Sequence, residues 1–335
     1  MRGLQTREPG GLEHTVLSEL AEPVCGHEQV VLAVRGVGLN PADRFQIEGR
    51  YPGGPRPPFT PGRDASGVVV QVGPGSDLQV GQAVLVLQSE ETNLVHGTLA
   101  ERVAVSAGNV VPLPAGWSFA EGAAAPLVYQ TAWQALTCRG RPSPEQVVVV
   151  IGAAGGVGLA AMQLARGLGL RVIGLVRREE KRRWLLEHGF LEIERLDSPD
   201  LKERLRRLNA GAGVNLVVDT VGGRWLGEAL HWLARDGVVA ELGVLDDVTS
   251  PISLPSLLFK RATIQGILVS HATAAEARQQ WQQITHILQQ SGQRPVLDRV
   301  FPLAEFRAAF ARLDTRPIGK VVIAVSEAGM STSAD

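Results

Sequence analysis

The sequence predicts an α/β protein in which a mostly-β, barrel-like domain accompanies a doubly wound parallel sheet. Three observations lead to this prediction. Short β-like runs separated by turn signals fill residues 1–122, and helical patterns alternate with apolar extended segments over residues 123–267. Within the alternating part, residues 147–166 read VVVVIGAAGGVGLAAMQLAR, which is a buried strand, a glycine turn and an apolar-faced helix in succession.

The first part of the chain is rich in glycine, proline and valine. Its β-like runs are QVVLAVRGVGL, ASGVVVQVG, QAVLVLQ and LAERVAV, with turn signals such as PGSD and PLPAG between them. Near the other end, the helix AEFRAAFARL precedes the strand GKVVIAV, which we expect to return to the first domain. We therefore predict one domain from residues 1–122 and 268–335, and a second from residues 123–267.

The glycine turn predicts a dinucleotide site. Residues without a side chain let the backbone approach a pyrophosphate, and the free N–H groups at the start of the next helix attract negative charge. We expect Gly155, Gly156, Val157 and Gly158 to bind the pyrophosphate. Ala153 stands where G-x-G-x-x-G usually has its first glycine, so the motif is recognised by the strand and helix around it.

Two arginines follow the next strand, RVIGLV, at the place where a dinucleotide domain reads the adenine ribose. An acid there binds a 2′-hydroxyl, whereas an arginine accommodates a 2′-phosphate. The chain has Arg177 and Arg178, with no acid before them and Lys181 shortly after. These cations predict NADPH in preference to NADH. The alternative is a solvated helix start, because RREEKRR also fits an exposed helix.

Composition excludes several classes of function. The 335 residues carry a formal net charge of −1, which gives no reason to expect nucleic acid or an anionic membrane as a partner. No apolar run reaches membrane-spanning length, and the N-terminus lacks the core of a signal peptide. Two cysteines do not make a disulfide scaffold. We expect a cytoplasmic protein in a reducing environment.

Six motifs span nearly the whole chain and carry a family resemblance. They are Gly38–Asp43 (GLNPAD), Pro61–Gly67 (PGRDASG), Gly97–Glu101 (GTLAE), Ala153–Gly158, Asp219–Gly223 (DTVGG) and Gly319–Val322 (GKVV). In this order they resemble the medium-chain dehydrogenase/reductase superfamily, especially its zinc-free quinone oxidoreductase and enoyl reductase branches. The resemblance implies a GroES-like catalytic domain, a Rossmann-type domain, and a homodimer formed near Thr263 to Leu268.

The resemblance also implies site residues. Tyr51 matches a tyrosine that hydrogen-bonds the acceptor carbonyl or donates a proton; the alternative is that it only shapes the pocket. Asn40 is expected to hydrogen-bond the cofactor ribose or the substrate. Tyr129 is expected near the nicotinamide and the substrate, with core packing as its alternative. Further implied cofactor contacts are Thr131, Gly243, Ile267, Leu268 and Lys320, the last near the phosphate or the domain cleft.

The residues at the ligand positions indicate whether the protein can bind zinc. Alcohol dehydrogenases of this superfamily have cysteine where Asn40 stands and His-Glu where Arg63-Asp64 stands. An amide and a guanidinium do not supply zinc ligands, and the seven histidines show no ligand spacing, so we predict no metal. The sequence thus favours an NADPH-dependent reductase of quinones or α,β-unsaturated carbonyl compounds. Two alternatives remain, a 2-enoyl-thioester reductase and an NADPH-binding protein with a structural or regulatory role and little turnover.

Overall fold

The computed structural model describes residues 1–93, 95–144 and 146–326. The chain forms two compact units. Among these residues, the first unit contains those of 1–127, 270–282 and 294–326, and the second contains those of 128–269 and 283–293. No helix among the described residues is long and apolar enough to cross a membrane.

These units differ from the predicted domains in one segment and by a few residues at the boundaries. Residues 283–293, predicted to belong with the mostly-β domain, group with the second unit. The physical reason is close packing: a Cβ added at Gly167 would overlap the side chain of Ile287, so the glycine lets this segment approach its helix. The helical pattern of the segment gives no indication of which domain it packs on.

The first unit is built mainly of β-structure, as predicted. A two-stranded antiparallel sheet pairs β1 with β2, and a seven-stranded sheet has the order β14-β15-β3-β4-β5-β7 with β6 also paired to β3. The strands are β1 (Arg2–Thr6), β2 (Thr15–Glu19), β3 (Gln29–Gly38), β4 (Ser66–Val72), β5 (Ala83–Val86), β6 (Arg102–Ser106), β7 (Val110–Pro112), β14 (Leu297–Pro302) and β15 (Lys320–Ala324). Apolar residues that alternate along these strands form one core.

The last strand returns to this unit, which confirms the expectation for GKVVIAV. Strand β15 pairs antiparallel with β3, with Val322 opposite Gly38. Beyond the paired stretch, the amide of Leu39 donates to Val321 O at 2.9 Å. This register brings Lys320 to the start of helix α1. The helices within this unit are α1 (Pro41–Ile47), α2 (Phe119–Ala124) and α10 (Phe306–Asp314).

The second unit is a doubly wound parallel sheet, as predicted. Its six strands have the order β10-β9-β8-β11-β12-β13, and every neighbouring pair is parallel. This order reverses at β8, where open sheets of this kind bind dinucleotides. The strands are β8 (Val147–Ile151), β9 (Arg171–Val176), β10 (Ile193–Arg195), β11 (Val214–Asp219), β12 (Leu233–Glu241) and β13 (Thr263–Gly266).

Helices connect these strands as the alternating pattern requires. They are α4 (Gly156–Gly167), α5 (Glu179–Glu187), α6 (Leu201–Arg206), α7 (Arg224–Trp232) and α8 (Leu254–Lys260). Two further helices, α3 (Pro126–Leu136) and α9 (Ala274–Ser291), contain residues of both units. The five residues of β8 are all buried, because helices cover both faces of a parallel sheet.

Candidate active site

A buried polar network lies in the first unit where β15 meets the start of α1. The Nζ atom of Lys320 donates to Leu39 O at 2.9 Å, to Asn40 Oδ1 at 2.7 Å and to Asp64 Oδ2 at 3.4 Å. The amide of Asn40 donates to Asp64 Oδ2 at 2.9 Å and to Gly38 O at 3.1 Å. Burial lowers the pKa of Lys320, and the carboxylates of Asp64 and Asp43 oppose that change.

The expectation that Lys320 lies near a cofactor phosphate or the domain cleft stays a prediction, and within the first unit the residue is buried in this network. Its three ammonium protons have three acceptors within the first unit. A buried charge needs such partners, because transfer from water costs several kcal/mol unless pairing and hydrogen bonds compensate. We assign Lys320 to holding Asn40 and Asp64 in fixed positions.

Asp43 lies next to this network on α1. Its Oδ2 atom accepts from the backbone N of Asn40 at 2.8 Å, which caps the start of the helix. Burial raises the pKa of Asp43 to about 6, while the charge of Arg63 and the hydrogen bond from Asn40 counteract that rise. The other oxygen, Oδ1, is buried without a hydrogen-bond partner among the described residues.

Arg63 stacks on the ring of Tyr51, which was predicted to contact substrate. The Arg63 Cζ atom lies 4.4 Å from the ring centroid, and the residue is only 3% exposed. Gln88 fixes the local backbone by donating to Arg63 O at 3.1 Å. Tyr51 itself is half-buried, in the loop that follows α1. Sequence reasoning used Arg63 only to exclude zinc and missed this stack.

The residues at this place do not fit a zinc ion. Zinc in proteins requires thiolate, imidazole or carboxylate donors that converge on the metal. Here the Asn40 amide and the Lys320 ammonium group contact the carboxylate of Asp64, and both of its oxygens already accept hydrogen bonds, with Leu127 N donating at 2.9 Å. Within residues 1–93, 95–144 and 146–326, no group of three or more His, Cys, Asp or Glu side chains is arranged for a metal.

The glycine turn of the second unit fits a dinucleotide phosphate. A Cβ at Gly158 would overlap Gly152 O, so only glycine allows α4 to start this close to β8. At Gly155, by contrast, an added Cβ would meet only Gly152 O, at 3.5 Å, which leaves the space beside the turn open. Gly155 is the N-cap of α4 and no side chain caps the helix, so the first-turn N–H groups of Gly156, Val157 and Gly158 are available.

The two arginines predicted to read the 2′-phosphate lie at the end of β9. Arg177 pairs with Asp246 at 2.8 Å, and its guanidinium lies 5.6 Å from the ring centroid of Trp225. Arg178 is the N-cap of α5 and pairs with Glu180 at 3.2 Å. Lys181 follows in the first turn of that helix. Asp246, a competitor for Arg177, was not identified from the sequence because it lies 69 residues further along the chain.

Two carboxyl groups meet at the ends of adjacent parallel strands. Asp219 and Glu241 are register partners on β11 and β12, which brings their two carboxyl groups close enough to influence each other's ionisation. Asp219 Oδ1 accepts from Val221 N at 2.9 Å and Gly222 N at 3.0 Å, and Glu241 Oε1 accepts from Gly243 N at 3.0 Å. The remaining oxygens, Asp219 Oδ2 and Glu241 Oε2, are buried and have no partner outside the pair among the described residues.

Burial and mutual repulsion determine how this pair titrates. Burial, followed by the charge of Asp219, raises the pKa of Glu241 to about 8. Burial also raises the pKa of Asp219, against the hydrogen bonds from Gly222 and Val221. The pair therefore holds a proton at neutral pH. The sequence could have indicated this carboxyl pair, because both acids end buried strands and the carboxyl ends of neighbouring parallel strands lie at one edge of the sheet.

The other predicted residues of the second unit lie in different environments. Tyr129 is only 1% exposed and its hydroxyl donates to Gln163, so the prediction that it lines a substrate pocket is replaced by its alternative, core packing. Thr131 is buried on the same helix. Gly243 is buried beside the carboxyl pair, Ile267 is half-buried after β13, and Leu268 is 44% exposed.

Comparison with known proteins gives consistent similarities. Two family models match, the alcohol dehydrogenase GroES-like domain over residues 26–115 and the zinc-binding dehydrogenase over residues 156–290. A quinone oxidoreductase from Lama guanicoe is 30% identical over 331 residues, covering 96% of this chain and 97% of that protein.

Solved structures extend the similarity to the fold. The quinone oxidoreductase of Thermus thermophilus, also determined in complex with NADPH, is 34% identical with a TM-score of 0.79, over 97% of this chain and 100% of that one. An NAD-dependent alcohol dehydrogenase is 28% identical with a TM-score of 0.86, over 97% of this chain and 100% of that one.

Proposed function

Because the chain belongs to the medium-chain dehydrogenase/reductase superfamily, we propose that it is an NADPH-dependent reductase of quinones or α,β-unsaturated carbonyl compounds that works without zinc. The observation that supports this proposal most is the Asn40–Lys320–Asp64 network. In this network an ammonium group and its hydrogen bonds occupy the place that metal ligands take in alcohol dehydrogenases of the superfamily. Without a Lewis acid, alkoxide activation loses its main charge stabilisation, which favours an already electron-poor acceptor.

Asn40 and Tyr51 have different roles in this proposal. When bound, NADPH supplies hydride to the acceptor. Both protons of the Asn40 amide are already donated within the unit, so Asn40 offers a ligand only a lone pair on Oδ1. We therefore propose that Asn40 accepts a hydrogen bond from a ribose hydroxyl. The Tyr51 phenol donates to the acceptor oxygen, where negative charge develops.

The preference for NADPH is proposed from Arg177 and Arg178. Charge-assisted hydrogen bonds are worth about 1.5–3 kcal/mol each, so two of them distinguish the cofactors by more than a hundredfold. The double variant Arg177→Glu/Arg178→Glu should lose most affinity for NADPH and keep its affinity for NADH, as measured by the fluorescence of either bound cofactor. An unchanged NADPH-to-NADH ratio of dissociation constants would refute the assignment.

We also propose a homodimer formed through the second unit. Strand β13 ends the parallel sheet, and β12 is its neighbour within the chain. On the adjacent helix α8, Leu254, Leu258 and Phe259 are 61%, 68% and 86% exposed. An open strand edge beside apolar side chains is the kind of surface that association covers. Analytical ultracentrifugation should give a dimer for the wild type and a monomer for Leu258→Glu/Phe259→Glu; equal masses would refute this interface.

The reaction is tested by a panel of acceptors. NADPH oxidation is followed with 1,4-benzoquinone, a 2-enal and crotonyl-CoA, and NADP⁺ reduction is followed with primary and secondary alcohols. The proposal expects turnover of the quinone or the enal. Turnover confined to crotonyl-CoA would indicate a thioester reductase, cofactor binding without any turnover would indicate a binding protein, and turnover confined to alcohols would refute the zinc-free reductase.

A further inference from the structure

We propose that the guanidinium group of Arg63 is the oxyanion-binding group of this protein and contacts the acceptor oxygen on which negative charge develops. This inference rests on the proposed reductase function and adds a residue to its machinery. Two cations, Lys320 and Arg63, stand where alcohol dehydrogenases of the superfamily have their metal ligands. The ammonium group of Lys320 already donates hydrogen bonds to three oxygens of the protein.

Arg63 is a buried cation, and two of its guanidinium nitrogens lack hydrogen-bond partners in the part of the chain that the structure describes. Its Nε and Nη2 atoms are buried and have none among the described residues, although the residue is only 3% exposed. No carboxylate oxygen of the described residues lies within 4.0 Å of its nitrogens, whereas Lys320 lies 3.4 Å from Asp64. Buried N–H groups without acceptors are costly, and a guanidinium can bind two acceptors in one plane. A ligand oxygen would satisfy these donors.

The surroundings supply more donors than acceptors. On α1, Asp43 has one buried oxygen, Oδ1, without a hydrogen-bond partner among the described residues, and its charge acts on Arg63. Against this one acceptor atom stand two unpartnered donor atoms, Nε and Nη2 of Arg63. The charges that face Arg63 are the carboxylate of Asp43, and beyond it Asp64 and Lys320, which neutralise each other. The local excess of donors fits a carbonyl or quinone oxygen.

The stack with Tyr51 places Arg63 beside the predicted proton donor. The Cζ atom lies 4.4 Å from the ring centroid, which holds the guanidinium against one face of the tyrosine. A planar acceptor that reached Tyr51 would therefore also meet the cation. The segment after Tyr51 carries prolines at positions 52, 55, 57, 58 and 61, which lack backbone N–H donors and so reduce the number of backbone donors in this loop.

The chemistry is the reduction of an acceptor by two electrons. Hydride from NADPH adds to a ring carbon or a β-carbon, a C=C bond becomes single, and an electron pair moves onto the oxygen. That oxygen then takes a proton from Tyr51 or water to give an enol, and NADPH becomes NADP⁺. The enol of an enone tautomerises to the saturated carbonyl compound, whereas the quinone adduct loses H⁺ from the hydride-bearing carbon and gains H⁺ on its second oxygen to become the hydroquinone. Arg63 stabilises the oxygen while it carries the charge. Loss of one such donor reduces kcat about 10²–10³-fold in enzymes that use them.

The test uses a ligand that does not react. The phenolate of 4-nitrophenol absorbs differently from the phenol, so titration reports the pKa of the bound molecule in the presence or absence of NADPH. Arg63 should lower that pKa in the wild type. The variant Arg63→Gln should abolish the shift, and Arg63→Lys, which keeps the charge but not the planar fork, should retain part of it.

A matched arginine provides the control. Arg50 also stacks on an aromatic ring, with its Cζ 5.0 Å from the centroid of Phe45, but it is exposed and pairs with Glu48 at 2.8 Å. Arg50→Gln should therefore leave both the phenolate pKa and quinone turnover unchanged. Urea unfolding of each variant shows whether the fold is retained, and Arg63→Lys serves if Arg63→Gln is not folded.

Two outcomes separate this inference from the proposed function. If the wild type reduces quinones and Arg63→Gln keeps both its kcat and the phenolate shift, the assignment of Arg63 is wrong and the function stands. If no acceptor is reduced but the phenolate shift depends on Arg63, the function fails and the oxyanion site stands.

Discussion

The carboxyl pair of Asp219 and Glu241 predicts a specific dependence of stability on pH. Glu241→Gln replaces a protonated carboxyl by an amide of the same shape, which can still accept from Gly243 N and donate to Asp219. A carboxyl whose pKa is raised in the folded state binds its proton more tightly there than in the unfolded chain. The free energy of unfolding therefore falls as pH rises from the unfolded pKa near 4.5 to the folded pKa of about 8.

The magnitude follows from these pKa values. One pKa unit corresponds to about 1.4 kcal/mol, so wild-type protein should lose roughly 2–3 kcal/mol between pH 6 and pH 9 through this pair. Glu241→Gln has no proton to lose at this position. Its advantage in stability over the wild type should therefore grow by that amount between pH 6 and pH 9.

Urea unfolding at the two pH values measures this difference. Trp225 and Trp232 are buried in the same unit and report its unfolding by fluorescence. Glu187→Gln, at an exposed position at the end of α5, serves as the control for removing one carboxylate from this unit. If the wild type and Glu241→Gln lose equal stability between pH 6 and pH 9, the pair does not share a proton and the reasoning is wrong.

Three further predictions concern the other site residues. Lys320→Met should destabilise the first unit by about 3–5 kcal/mol in urea unfolding, because Asp64 is left buried without its cation. Adding Asp64→Asn should recover part of this loss, and equal stability of the single and double variants would contradict the reasoning. Gly158→Ala should weaken NADPH binding at least tenfold in a fluorescence titration, since its Cβ would overlap Gly152 O; wild-type affinity would show that the turn has room. Asp246→Asn frees Arg177 from an ion pair worth about 0.2–1 kcal/mol, so NADPH affinity should rise by up to about fivefold in the same titration, and weaker binding would refute competition.

Much of the architecture was predictable because its signals are local. The valines of β8, the glycine turn and the apolar face of α4 follow one another within twenty residues, and each suits only a few conformations. The alternation of helices and strands then restricts the second unit to a parallel sheet. The return of β15 to the first unit was also predicted, although its register with β3 was not.

The predictions that failed concern burial and packing partners. Tyr129 lies on a helix start that could face either solvent or core, and only the packed structure shows that its hydroxyl meets Gln163. The segment 283–293 continues an amphipathic helix, whose pattern indicates that one side is buried but not against which unit.

The sequence by itself determined the two kinds of domain and the succession of strand, glycine turn and helix, because these depend on residue type and short spacing. The tertiary structure decided which charged groups surround Asn40. Lys320 and Asn40 are 280 residues apart and meet only through the pairing of β15 with β3. The same holds for Asp219 with Glu241 and for the stack of Arg63 on Tyr51, since burial and proton sharing depend on contacts that chain order does not specify.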